Sequence, residues 1–263
     1  MPFPQAVRVI YKKNPLTKVI CQLRYPPILA IDSEVPSRFQ DSIRDNFPFY
    51  NERVGFQQEI AMGIKNQFPP ELINQLTKTS INKNHEFVSE DRIWKINLAR
   101  TFLSISTSKY TQWEDFERMF KPAVAALSNI YRPPFLTRVG LRYIDVFDRS
   151  KLGLDDCKWT ELLNPAFIGL LATAIAPNVK HSENIYEISL KDKKSTVRIV
   201  TSFVQNAQSK EQCYMIDSDF YLPSRVKLED VSQVLDAFHI TANGLIQWII
   251  TEKLHNAMGP EKI

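Results

Sequence analysis

The sequence predicts an α+β protein: antiparallel sheet with long helices on one face, built from two pseudo-repeats of strand, helix, four strands and helix. Three observations predict it. First, two landmarks recur in the same order at nearly one offset. Val-Ile-Cys-Gln-Leu-Arg-Tyr ends at Tyr25 and Arg-Val-Gly-Leu-Arg-Tyr ends at Tyr143, 118 residues on; the openings Trp113-Glu114-Asp115-Phe116 and Leu228-Glu229-Asp230-Val231 lie 115 apart. Second, short runs alternate apolar and polar residues, the pattern of strands covered on one face only. Third, longer runs place apolar residues three and four apart, the spacing of amphipathic helices.

The elements follow in order. Residues 18–25 set Val19, Cys21, Leu23 and Tyr25 against Lys18, Ile20, Gln22 and Arg24, a strand ended by Pro26-Pro27. Asp32, Ser33 and Pro36 carry helix-start chemistry, and Val35, Phe39, Ile43 and Phe47 then form one stripe that stops at Pro48. Residues 50–64 read as extended, Phe68-Pro69-Pro70 as a turn, and residues 86–106 as successive short strands. Thr111 heads a helix through Trp113, Phe116, Phe120, Val124 and Leu127, with Pro122 expected to kink it.

The second half repeats the plan. A strand covers residues 137–147, helix lies within 159–174, and strands cover 186–190, 196–204 and 213–222. A last helix runs from about Leu228 to Gly259-Pro260, where Gly244 marks a kink or a close crossing. The halves divide as residues 1–135 and 136–263, one compact unit with a shared core. No Ser/Gly-rich or acidic linker separates them, and residues 149–158 are assigned as the inter-half loop.

Composition removes several function classes. A net charge of +4 with 24% charged residues is compatible with a polyanion partner but far from the dense basic stripe that would demand one. Three distant cysteines without CxxC spacing imply a reducing, cytoplasmic setting. The start Met-Pro-Phe-Pro-Gln has no signal-peptide character, and the longest apolar run, residues 166–176, is too short to span a bilayer; no membrane association is expected. Glycine-rich phosphate loops, HExxH, GxSxG and zinc spacings are missing, and His85, His181, His239 and His255 are scattered. No cofactor is implied.

Two constellations remain. Arg24 and Arg142, with Tyr25 and Tyr143, occupy matching repeat positions; together with Arg198 they are the candidate binding residues for a protein or nucleic-acid partner, since arginine forks onto phosphate or carboxylate. The same arginines suit an internal network with Asp145, Asp217 and Asp219. As an alternative, those three carboxylates converge on a divalent metal, giving a metal-dependent phosphoryl-transfer or hydrolytic enzyme. Lys191, Lys193, Lys194 and Arg198 form a basic hairpin, and residues 166–176 offer an apolar surface for a homodimer. Because the Asp-Ser-Asp strand aligns with residues 102–107, which hold no carboxylate, any site is expected to be single and off-axis.

The element order resembles the duplicated halves of the TATA-binding-protein-like fold, which implies long helices on one face of a curved sheet. Tyr11-Lys12-Lys13-Asn14-Pro15-Leu16, Gly140-Leu141-Arg142-Tyr143-Ile144-Asp145, Met215-Ile216-Asp217-Ser218-Asp219-Phe220 and Ile249-Ile250-Thr251-Glu252-Lys253-Leu254 are similar to segments of a sporadically distributed family of uncharacterised bacterial proteins. In that family Asn is usual where this chain has Asp145. The resemblance implies a prokaryotic cytoplasmic protein of mobile elements or accessory systems, phage defence among them, and assigns no activity or catalytic residue; the first reading of the residues themselves is a non-enzymatic binding module.

Overall fold

In the computed structural model the described residues are 2–54, 83–206 and 208–262. The expected turn at Phe68-Pro69-Pro70 and most of the extended run 50–64 lie outside them. After a short strand β1 (Val9–Tyr11), the strands are β2 (Leu16–Arg24), β3 (Phe49–Val54), β4 (Lys83–Val88), β5 (Trp94–Ala99) and β6 (Phe102–Thr107). They continue as β7 (Arg138–Phe147), β8 (Glu183–Ser189), β9 (Thr196–Gln205), β10 (Gln212–Leu222) and β11 (Pro260–Lys262). Nine of them form one antiparallel sheet in the order β3-β4-β5-β6-β2-β7-β10-β9-β8.

The repeat is visible in the register. β2 and β7 pair at the centre, and Gln22 stands opposite Gly140. Residue 140 is also residue 22 plus the offset of 118 (22 + 118 = 140), so the approximate twofold axis passes through this pair. Outward from it, β6 flanks β2 and β10 flanks β7. The second copy has three strands after its opening strand instead of the expected four. Its residues 149–178 are spent on short turns, α4 (Arg149–Leu152), α5 (Trp159–Leu162) and α6 (Pro165–Ile168) among them, interrupted by Gly153, Gly169 and Pro177. Residues 149–158 thus belong to the second half, and the link between halves is the stretch after residue 131.

One face of the sheet is the core. Val19, Cys21 and Leu23 share it with Val139, Leu141, Tyr143 and Phe147, and with Ile216 and Phe220, all buried. Earlier helices α1 (Ala30–Ser33) and α2 (Ser37–Ile43) pack there, with Phe39 against Phe87 at 5.4 Å between ring centres. So does α3 (Trp113–Ala126), through Phe116 on Trp94, and α7 (Val231–Ile249), through Phe238 on Phe220. Each fully buried side chain of this size stabilises the fold by roughly 1.5–3 kcal/mol before ordering entropy is subtracted.

The expected stripe holds on α2 for Phe39 and Ile43 and continues to the buried Phe47 beyond the helix end, but Val35 precedes the helix and is 61% exposed. Pro122 lies inside α3, which widens into a π-type turn at Leu127–Tyr131. The last helix is two. α7 stops at Ile249, Ile250 bridges to Leu163, and α8 (Glu252–Ala257) restarts with Thr251 Oγ1 accepting from the Leu254 N–H. Gly244 is a close crossing: a Cβ there would sit 2.6 Å from the Pro4 carbonyl oxygen. The segment before β1 therefore lies along α7, where Gln247 Nε2 also donates to the Val7 carbonyl at 2.7 Å. β1 then pairs with β11, so the two ends of the described chain are clasped together.

Candidate functional site

Two places collect the residues singled out in the sequence, one on each face of the sheet. On the face turned away from these helices, the axis position is polar. Gln22 Oε1 accepts from Arg24 Nε at 2.9 Å and from an Arg138 amino group at 3.3 Å. Arg138 reaches over Gly140, where a Cβ would fall 2.3 Å from its guanidinium, so the absent side chain makes room for it. It then grips both oxygens of Asp219 at 2.9 and 2.8 Å and stacks over Tyr221 at 5.0 Å. Arg142 forks onto Asp217 at 2.7 and 2.5 Å. Burial pushes the Asp219 carboxyl upward, and the adjacent Arg138 and Arg142 charges oppose that shift.

The expected asymmetry is present in the pairing. Arg142 stands opposite Asp219, whereas its repeat equivalent Arg24 stands opposite Phe102. Arg198 lies between Asp219 on β10 and Glu187 on β8. Ile20, Ile144, Val146, Met215 and Tyr221 share this face with the charged residues and are partly exposed.

Two sequence expectations are corrected here. Tyr25 and Tyr143 do not join Arg24 and Arg142 on a binding surface, because adjacent strand residues point to opposite faces. Tyr25 is 2% exposed and donates to the Ala99 carbonyl; Tyr143 is equally part of the core. The same parity breaks the carboxylate trio. Asp145 is opposite Ile216 on the helix side, whereas Asp217 and Asp219 point to the other face. Among the described residues no group of three His, Cys, Asp or Glu side chains is placed to hold a metal. The basic hairpin is a folded turn in which Asp192 accepts from the Lys194 and Ser195 N–H groups and from the Ser195 hydroxyl. In the apolar run, Phe167, Ile168 and Leu171 are buried in the core, while Leu170 and Ile175 are exposed.

Asp145 instead faces a cavity of about 100 Å³ between the sheet, the β1–β2 segment and α7. Its walls include Tyr11, Tyr110, Tyr143 and His239, with Leu245 and Ile249 from α7. Tyr143 Oη and His239 Nδ1 are hydrogen-bonded at 3.2 Å, and the His239 ring lies flat on Trp113 at 4.9 Å. Trp113 is fixed in turn by Nε1 donating to Asp236 at 2.8 Å. Burial lowers the His239 pKa to about 4, with the nearby Arg8 charge acting the same way. Burial raises Asp145 to about 7, and Asp217 across the sheet adds to that shift. Burial also pushes the phenols of Tyr11, Tyr110 and Tyr143 up.

The sequence reading missed Arg138 and Gln22 as partners and the whole cavity. Residue parity along β7 was the available signal: Asp145 is in step with Val139, Leu141, Tyr143 and Phe147, not with Arg142. No protein-family model matches the chain, and no curated protein matches it. No helix among the described residues is long and apolar enough to cross a membrane.

Proposed function

We propose that this protein is a non-enzymatic binding module whose partner is a protein presenting acidic groups to the face turned away from the helices. One observation carries the reading: the charge balance at the centre of that face. Among the described residues, the outward positions of β2, β7, β8, β9 and β10 hold Lys18, Arg24, Arg138, Arg142 and Arg198 with Asp217, Asp219, Glu183 and Glu187, five cations to four anions. Two arginines are held in place by the carboxylates, which fixes their forks at little further entropy cost on binding. The interspersed Ile, Met and Tyr side chains suit a protein interface, which favours Arg, Met and aromatic residues. A nucleic-acid partner is less favoured, because the paired carboxylates sit where phosphates would approach.

The free thiols Cys21, Cys157 and Cys213 support a reducing, cytoplasmic compartment, and the patchy bacterial family resemblance supports an accessory or defence system. Retention on immobilised poly-glutamate and on double-stranded and single-stranded DNA, each across a salt gradient, tests the partner class. The expected result is salt-dependent retention on poly-glutamate that the Lys18→Ala/Arg198→Ala double variant weakens. No retention, or stronger retention on DNA, overturns the acidic-protein reading.

A further inference from the structure

The cavity on the helix side carries an inference separate from the face described above. A buried carboxylate is ordinarily matched by a cation or by several N–H donors, because leaving it bare is costly. Asp145 is only 5% exposed, and no described residue donates a hydrogen bond to it. The charged and titratable groups around it are all otherwise committed. Arg8 forks onto Glu114 at 2.6 Å twice. Asp217, across the sheet, has the same sign and is bound to Arg142. From the β1–β2 segment and α7 come Tyr11 and His239, from the segment before α3 Tyr110, and from β7 itself Tyr143. These four are uncharged at neutral pH, the phenols because burial raises them and His239 because burial lowers it. Among the described residues Asp145 is therefore left with no opposite charge, inside walls of tyrosine rings and aliphatic side chains.

We propose that this cavity binds a small organic cation, a primary ammonium group on a short apolar body, with Asp145 as its counter-ion and the Tyr11, Tyr110 and Tyr143 rings as its walls. Tyrosine faces attract cations through the ring quadrupole, and the aliphatic α7 wall takes the apolar body. A cavity of about 100 Å³ is smaller than one that takes benzene, which limits the ligand to about four to six non-hydrogen atoms. An inorganic cation fits poorly, because the site offers one carboxylate where hard cations gather six or more oxygens. Binding replaces the proton that Asp145 otherwise retains, so affinity increases as the pH rises through neutrality.

The test uses n-butylammonium chloride as the probe, with n-butanol and potassium chloride as controls, read by thermal shift and isothermal titration calorimetry at pH 8. The expected result is saturable binding of n-butylammonium that weakens at least tenfold in Asp145→Asn, with neither control matching it. Ile246→Trp, at an α7 residue that lines the cavity, fills it and keeps Asp145, and is expected to abolish binding; it stands in if Asp145→Asn does not fold. Absence of saturable binding to the unaltered protein overturns the proposal. Equal binding by both variants also overturns it, and so does full mimicry by potassium chloride or n-butanol.

Discussion

Replacing Asp145 by Asn tests the electrostatics of the cavity through stability alone. The folded protein holds this carboxyl at about 7, whereas an unfolded chain releases the proton near the ordinary Asp value of about 3.9. Between these values the folded state binds more protons than the unfolded state, so stability falls as pH rises. The loss begins near pH 4, grows through neutrality and levels off above about pH 7. About three pKa units at 1.36 kcal/mol each give a total of about 4 kcal/mol, of which about 3 kcal/mol falls between pH 5 and pH 8. His239 works in the opposite sense: its lowered pKa removes stability as pH falls from about 6.5 to about 4. That contribution is common to both proteins and cancels in their difference. Urea unfolding of the unaltered protein and Asp145→Asn at pH 5 and pH 8 therefore isolates the carboxyl. The variant's relative stability should improve by about 3 kcal/mol between the two pH values, a midpoint displacement on the order of 1 M urea. A difference between the proteins that is the same at both pH values would refute the reasoning, because Asp145 would then titrate as it does in the unfolded chain.

Two further substitutions bear on the fold. Gly244→Ala should lower stability by about 1–3 kcal/mol in thermal unfolding, although Ala is the better helix former, because its methyl group meets the Pro4 carbonyl; a stabilised variant would mean the segment before β1 does not lie against α7. A double-mutant cycle on Arg142→Ala and Asp217→Ala should give a coupling of about 1–3 kcal/mol by denaturant unfolding. A coupling near zero would mean that the fork is not maintained in solution.

The architecture was legible because two signals agreed: the repeated Leu-Arg-Tyr strand and the alternation on either side of it. The register adds that equivalence and pairing coincide only at Gln22 and Gly140, a relation between distant residues that no local pattern carries. Asp217 and Asp219 were correctly placed on one face, because strand periodicity is local. Their grouping with Asp145 failed for the same physical reason. Facing follows from each strand's register, and register across β7 and β10 is set by long-range pairing. The fourth strand of the second half was an expectation of symmetry, and the short turns over residues 149–178 override it. The cavity was not legible, since its walls come from residues 9–11, 14–16, 110–111, 143, 145, 216, 218 and the stretch 239–249 of α7, and meet only in the folded chain.

The clasp between β1 and β11 has a consequence for the order of assembly. Val9 is opposite Lys262 and Tyr11 is opposite Pro260, a separation of about 250 residues, and Tyr11 is one wall of the Asp145 cavity. As the chain emerges from the ribosome, Tyr11 is made early and then waits until its pairing strand has been synthesised. The central β2–β7 pairing also spans more than a hundred residues, and contacts this distant slow folding. The Tyr11 wall of the cavity is therefore fastened by a strand pair that cannot form before residues 260–262 have been made.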